Sequence, residues 1–212
     1  MTSTLQQLAV AGALAALGAG ALAQETVVKL GITRYDTHSK TSGISGIGVP
    51  AGADAVTGDA TTVILVVERT LTPNIGVELV LGAPPRIKAQ AAGTVPFLGE
   101  VMTARNVAPT LLANYYFGSP NDSIRPYLGA GVNYTRFVGV ESKLAKEVRL
   151  SDSVGLAVQA GVNMALSKQT GLFASISKVQ VKSDLVAAGS TVLTSTIDFR
   201  PITYSAGLYY RF

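Results

Sequence analysis

The chain has 212 residues, of which 48% are hydrophobic and 14% charged, with 22 Gly, no Cys, no Trp and a formal net charge of +4. This composition and a mean hydropathy of +0.36 exclude a disordered tail or a disulfide scaffold. Beyond residue 23 no stretch runs for ~18 apolar residues without a polar break, so a helical span is excluded and a closed β-barrel is the remaining way across a bilayer.

In chain order, Leu8 to Ala23 is a series of Ala, Gly, Leu and Val that ends in Ala21-Leu22-Ala23, the small-x-small pattern read by signal peptidase. Residues 1–23 therefore read as a secretory signal cleaved near Ala23, although Met1 to Gln7 carries no Lys or Arg. Residues 24–212 read as one domain.

Period-2 alternation then recurs in segments near the ~9 to 11 residues that a tilted membrane strand needs. Eight are predicted: Thr26 to Asp36, Thr61 to Leu71, Asn74 to Ala83, Val107 to Phe117, Ile124 to Val138, Ser153 to Leu166, Leu172 to Lys182 and Ile197 to Phe212. The connections alternate too. Thr72-Pro73, Gly118 to Ser123 and Ser167 to Thr170 are short, whereas His38 to Ala60, Pro84 to Asn106, Gly139 to Asp152 and Ser183 to Thr196 are long, the first being Gly-rich and expected to be mobile. Such asymmetry is that of an eight-stranded antiparallel transmembrane barrel with its short turns on the periplasmic side, and the fold class is all-β.

Strand parity assigns the faces. Ile64, Val66, Val80 and Leu112 fall inward and make a hydrophobic lumen, while Val63, Leu65 and Val67 face lipid. Eight strands enclose a space that side chains can fill, so these residues suit either a pathway or a packed plug. Glu68, Glu78, Asn114, Arg125 and Arg211 also fall inward, near the short turns, where carboxylates and guanidiniums are expected to pair as a polar periplasmic barrier. A solute halted by that barrier would leave sideways into the bilayer, with Pro109, Pro126 and Pro201 as candidate weak points or ordinary strand ends. Lys178 and Lys182 are expected inward or raised to the headgroups.

In the last strand Tyr204, Ala206, Leu208, Tyr210 and Phe212 share the lipid face. A terminal aromatic behind alternating apolar residues looks like the signal read by the barrel-assembly machinery. Phe212 also suits an aromatic girdle.

Several pieces in order resemble the OmpW family of small outer-membrane barrels, with its alkane-uptake relatives of the AlkL type. They are Asn74-Ile75-Gly76-Val77-Glu78-Leu79, Pro109 to Gly118, Arg125 to Thr135, Ser205-Ala206-Gly207 and Tyr210-Arg211-Phe212. The resemblance implies a bacterial outer-membrane barrel that passes small hydrophobic molecules through a narrow apolar lumen. The absence of Trp departs from several members.

Other chemistry is poorly represented. His38 beside Asp36, Ser39 and Ser42 does not make a positioned triad, and a single His without Cys offers no metal spacing. Gly43 to Gly58 lacks the Lys-Ser/Thr ending of a phosphate loop. The chain is therefore read as a non-enzyme without catalytic residues, metal or cofactor. Its basic residues are scattered, which argues against nucleic acid, whereas Lys143, Lys146 and Arg149 suit first a plain solvated loop and otherwise outer-membrane lipid and lipopolysaccharide. Passive passage of small hydrophobic solutes is the expected function. The alternative is a non-conducting structural or receptor barrel that acts through loops around Gly46, Lys88 and Lys146.

Overall fold

The computed structural model describes residues 25–37, 39–145, 147–188 and 192–212. Residues 1–24, where the signal segment and its cleavage were expected, together with His38 and Lys146, lie outside them.

The strands in chain order are β1 Thr26–Asp36, β2 Lys40–Thr41, β3 Ala53–Thr57, β4 Ala60–Thr72, β5 Ile75–Gly82, β6 Arg86–Gly93, β7 Glu100–Val107 and β8 Thr110–Tyr116. They continue as β9 Ile124–Ser142, β10 Glu147–Leu150, β11 Ser153–Ala165, β12 Thr170–Val179, β13 Lys182–Ala188, β14 Val192–Asp198 and β15 Ile202–Arg211. Every pairing is antiparallel. The order β1-β4-β5-β8-β9-β11-β12-β15 returns to β1 through the β1–β15 ladder, which closes an eight-stranded barrel.

Alternation is inverted relative to a soluble protein. Along β4, Ile64, Val66 and Glu68 are buried while Val63 and Leu65 are exposed, and Leu30, Ile32, Leu128, Leu156 and Leu208 are exposed on neighbouring strands. Apolar side chains left outside on every strand make a lipid-facing belt, for which hydrocarbon is the matching solvent. Aromatic side chains border it at the short-turn end. Tyr115 meets Phe117 with ring centroids 5.2 Å apart, and Tyr210 meets Phe212 at 4.7 Å.

Three of the four segments expected as long loops are instead largely strand, and the first contributes only the short β2 and β3. The upper part of β9 carries β7, β6 and β3 as one sheet, and β10-β13-β14-β2 forms a second. The first of these segments is ordered in the same way: Ala53 to Thr57 pairs with β6, and Ser45 bridges to Thr194. The expected seventh strand ends at Val179, with Lys182 opening β13, and the last barrel strand begins at Ile202 because Ile197 belongs to β14. Lys178 and Lys182 are both exposed on the outer side, while Val179 and Val181 are buried. The inward placement is thus corrected, because the lumen there is occupied by valines.

Candidate functional site: the lumen and its extracellular cap

Lys29 organises the base of the lumen. Its side chain is 1% exposed, and its Nζ lies 2.9 Å from Glu68 Oε2 and donates to Glu78 Oε2 at 2.8 Å. The remaining acceptors are covered by neighbours. Tyr116 Oη donates to Glu68 at 2.6 Å, Asn114 Nδ2 to Glu78 at 3.2 Å, and Gln159 Nε2 to Glu78 at 3.1 Å and to Asn114 Oδ1 at 2.8 Å. Removed from water, carboxylates and ammonium are tolerated only with this degree of satisfaction. The ammonium also faces the rings of Tyr127 and Phe173, with centroids at 5.1 and 5.7 Å.

Glycines on the inner wall make room for these side chains. A Cβ at Gly129 would collide with Asn114 Oδ1, and one at Gly161 with the ring of Tyr127. The close approach to the wall is what lets a narrow barrel hold both an amide network and aromatic rings.

Glu68, Glu78 and Asn114 are therefore brought together as expected, but the expected cations are not their partners. Arg125 Nη2 donates to the Pro73 carbonyl at 2.8 Å and its guanidinium lies 5.0 Å from the Tyr116 ring centroid. Arg211 Nε sits 3.3 Å from Glu25 Oε2 at the periplasmic mouth. Both are engaged by other partners, Pro73 and Glu25, so Lys29 takes the pairing role. Lys29, Tyr116 and Gln159 were missed by sequence reasoning. Parity could have found Lys29, since it alternates inward with Val27 and Thr33 and sits across from Val66 in the register.

Above the network Ile64, Val66 and Leu112 are buried and Val80 is half-buried, all lining a cavity of about 70 Å³ with Phe173, Val179 and Val181. The lining is not wholly apolar. Lys29, Glu78 and Gln159 of the network form its floor and Asn106, whose Oδ1 has no partner, lies on its wall, while Thr33, Thr110, Asn133, Thr135 and Ser205 share it with polar atoms engaged within the wall. Asn133 Nδ2 donates to Thr110 Oγ1 at 2.8 Å, Thr135 Oγ1 donates to Asn133 Oδ1 at 2.7 Å, and Ser205 donates to Thr33 at 2.9 Å. Spent in this way, these five present little hydrogen-bonding capacity to a solute, and Asn106 Oδ1 is a free acceptor on the wall.

An apolar cluster follows, in which Leu112, Val179 and Val181 meet Phe137, Ile197 and Phe199, with the two Phe rings 5.2 Å apart. Beyond it, the two extracellular sheets enclose a second cavity of about 70 Å³, lined by residues such as Ile44, Val101, Met102, Val148, Leu185 and Leu193. The cluster separates two cavities and shares residues with each.

The wall is interrupted at one level. The β5–β8 ladder stops at Val80–Thr110, while β5 continues to Gly82. Pro109, just before β8, accepts from Tyr134 N of β9 through its carbonyl, so its missing N–H faces β9 rather than β5, and Tyr35, Ala60, Asn106 and Phe137 border a small cavity. Pro201 likewise sits at a strand junction, whereas Pro126 lies within β9. Tyr204, Ala206, Leu208, Tyr210 and Phe212 all point outward.

Among the loop residues, Lys88 Nζ lies 3.0 Å from Glu100 and Lys143 Nζ 3.5 Å from it. The Lys88 hydrogen bond, reinforced by Lys143, holds the Glu100 carboxyl below its ordinary value. Arg149 lies 3.9 Å from Glu147.

A closed antiparallel barrel with a lipid belt, a charge-sealed base and an apolar extracellular cap defines a small outer-membrane barrel. The OmpW family pattern matches residues 23–212. Over 104 residues the chain is 39% identical to outer membrane protein W of Escherichia coli (strain K12), covering 46% of this chain and 47% of that protein, so the matched stretch spans about half the relative's length. It is 26% identical over 168 residues to outer membrane protein AlkL of Ectopseudomonas oleovorans, covering 79% and 73% of the two chains. The crystal structure of the outer membrane protein OprG from Pseudomonas aeruginosa superposes with a TM-score of 0.82 at 25% identity, over 90% of this chain and 96% of that one. The chain belongs to the OmpW family, and it is a protein of the bacterial outer membrane.

Proposed function

We propose that this barrel gives small hydrophobic molecules passive passage across the outer leaflet, with lateral exit into the bilayer. The observation that carries the reading is the contrast along the axis: an apolar chamber and cluster above, and a charge network below with its acceptors satisfied. A solute without hydrogen-bonding groups gains nothing from entering the network, and opening it would strand buried charges. The end of the β5–β8 ladder beside Pro109 supplies a sideways route at the level of Ile64, which pairs with Gly82. Each cavity of about 70 Å³ is smaller than the ~150 Å³ apolar cavity that holds benzene. Passage therefore requires the Phe137–Phe199 cluster to move with the solute. In the same reading, the outward face of β15 ending at Phe212 serves the barrel-assembly machinery.

The test is uptake of toluene and of a small sugar by cells with an intact lipopolysaccharide leaflet that express the wild type, Ile64→Arg or no barrel, with folding checked by resistance to protease. Faster toluene uptake with the wild type alone, and no gain in sugar uptake, is the expected result. Equal toluene uptake with folded Ile64→Arg would rule out the lumen route and favour the loop-based receptor reading.

A further inference from the structure

The outer face of the β6–β7–β9 sheet carries Arg86, Lys88, Arg105 and Arg136, all exposed. Arg86 and Arg105 are direct partners across β6–β7, and Arg136 is opposite Val107 in a ladder where Arg105 is opposite Val138. Like charges placed directly across a ladder repel. The acids nearby are already in use: Glu141 lies 3.4 Å from Arg86, Glu100 lies 3.0 Å from Lys88, and Asp152 accepts from the Tyr134 hydroxyl. Arg105 and Arg136 have no carboxylate partner among the described residues.

Their height is informative. On the outward face of β9, Leu128, Ala130 and Val132 form the lipid belt, Tyr134 follows at the usual level of an interfacial aromatic, and Arg136 is the next outward residue. Guanidiniums just above a Tyr girdle, on the side of the long connections, stand where outer-leaflet headgroups carry their phosphates. The planar fork of Arg matches a phosphate bidentately.

We propose that Arg105 and Arg136, with Arg86 beside them, form a binding site for the phosphate of an outer-leaflet glycolipid of the lipid A class. This moves the lipid contact from Lys143 and Arg149, whose charges face Glu100 and Glu147, to the sheet surface. A phosphate there relieves the cross-strand repulsion and fixes the cap sheet at the membrane surface.

The test uses the purified full chain in detergent, titrated with bisphosphoryl lipid A, dephosphorylated lipid A, phosphatidylglycerol and inorganic phosphate, with bound lipid read by native mass spectrometry. Bisphosphoryl lipid A is expected to bind best, and Arg105→Gln/Arg136→Gln to weaken it by about tenfold. Arg149→Gln leaves binding unchanged. Arg105→Lys/Arg136→Lys keeps the charge without the fork and is expected to fall between the wild type and the Gln pair; equal loss in the Lys and Gln pairs would overturn the fork geometry. Binding that survives in the Gln double variant, or is equal for dephosphorylated lipid A or phosphatidylglycerol, would overturn the site. Inorganic phosphate binding as tightly as lipid A would make it a soluble-anion site and overturn the lipid assignment.

Discussion

The base of the lumen and the extracellular cap exclude water by opposite means. At the base, Lys29, Glu68 and Glu78 are buried charges whose partners are fixed by Asn114, Tyr116 and Gln159. In the cap, Val101, Met102, Leu185 and most of their neighbours are apolar, and the hydroxyls of Thr57 and Ser195 are unpartnered polar groups among them. The first arrangement is specific and costly to disturb, because each group depends on the others. The second is tolerant, because one aliphatic contact can replace another. In the proposed function the first closes the lumen and the second is where the solute enters.

Removing the cation breaks this contrast most severely. Lys29→Met leaves two buried carboxylates facing one another, and a loss of ~3–5 kcal/mol is expected in reversible unfolding by guanidinium in detergent. Unchanged stability would mean that water already reaches the base. Asn114→Ala removes a neutral member and takes one hydrogen bond each from Gln159 Nε2 and Glu78 Oε2, which keep Glu78 Oε1 and Lys29 respectively, for an expected loss of about 1 kcal/mol in the same assay.

Changes in the cap should cost less stability and alter transport. Leu185→Asp places a charge in the chamber, and toluene uptake is expected to fall by about tenfold, roughly the ~1.4 kcal/mol that a charged wall adds to the solute's path at minimum. The melting temperature should fall less than in Lys29→Met, since Leu185 lies on β13, outside the eight barrel strands, although it packs against the apolar clusters.

The smallest expected effect concerns pH. Glu100 is held below its ordinary value of 4.5 by Lys88 and Lys143. Its contribution is therefore present above 4.5 and lost as pH falls through the depressed folded value. Melting temperatures of the wild type and Glu100→Gln should differ slightly at pH 7 and converge near pH 3; a difference that grew on acidification would contradict the ion pairs.

The barrel strands were legible in the sequence because a wall between lipid and lumen forces strict alternation, as in Thr61 to Leu71. The inward set Ile64, Val66, Glu68, Glu78, Leu112 and Asn114 followed from the same period. The cap was not legible. Arg86–Gly93 is Ala-rich and polar, and Ala53–Thr57 is short, so neither carries the β-branched signature of a strand; they are strands because each is paired by its neighbour. Lys29 escaped because a lone Lys in an apolar strand suggests a snorkelling surface residue. Its role depends on two carboxylates contributed by other strands. Likewise, the glycines opposite Tyr127 and Asn114 gain meaning only when strands far apart in sequence are brought together.

The most direct test places a change in each region and asks which one the solute detects. Toluene uptake by cells is compared for the wild type, Ile64→Arg, and Lys29→Met/Glu68→Gln/Glu78→Gln, a variant that removes every charge of the triad together. With both variants folded, the account predicts that Ile64→Arg abolishes the gain in uptake while the charge-free base leaves it at the wild-type rate. Loss of uptake in the charge-free variant, with Ile64→Arg still active, would place the solute's route through the base and contradict the lateral pathway.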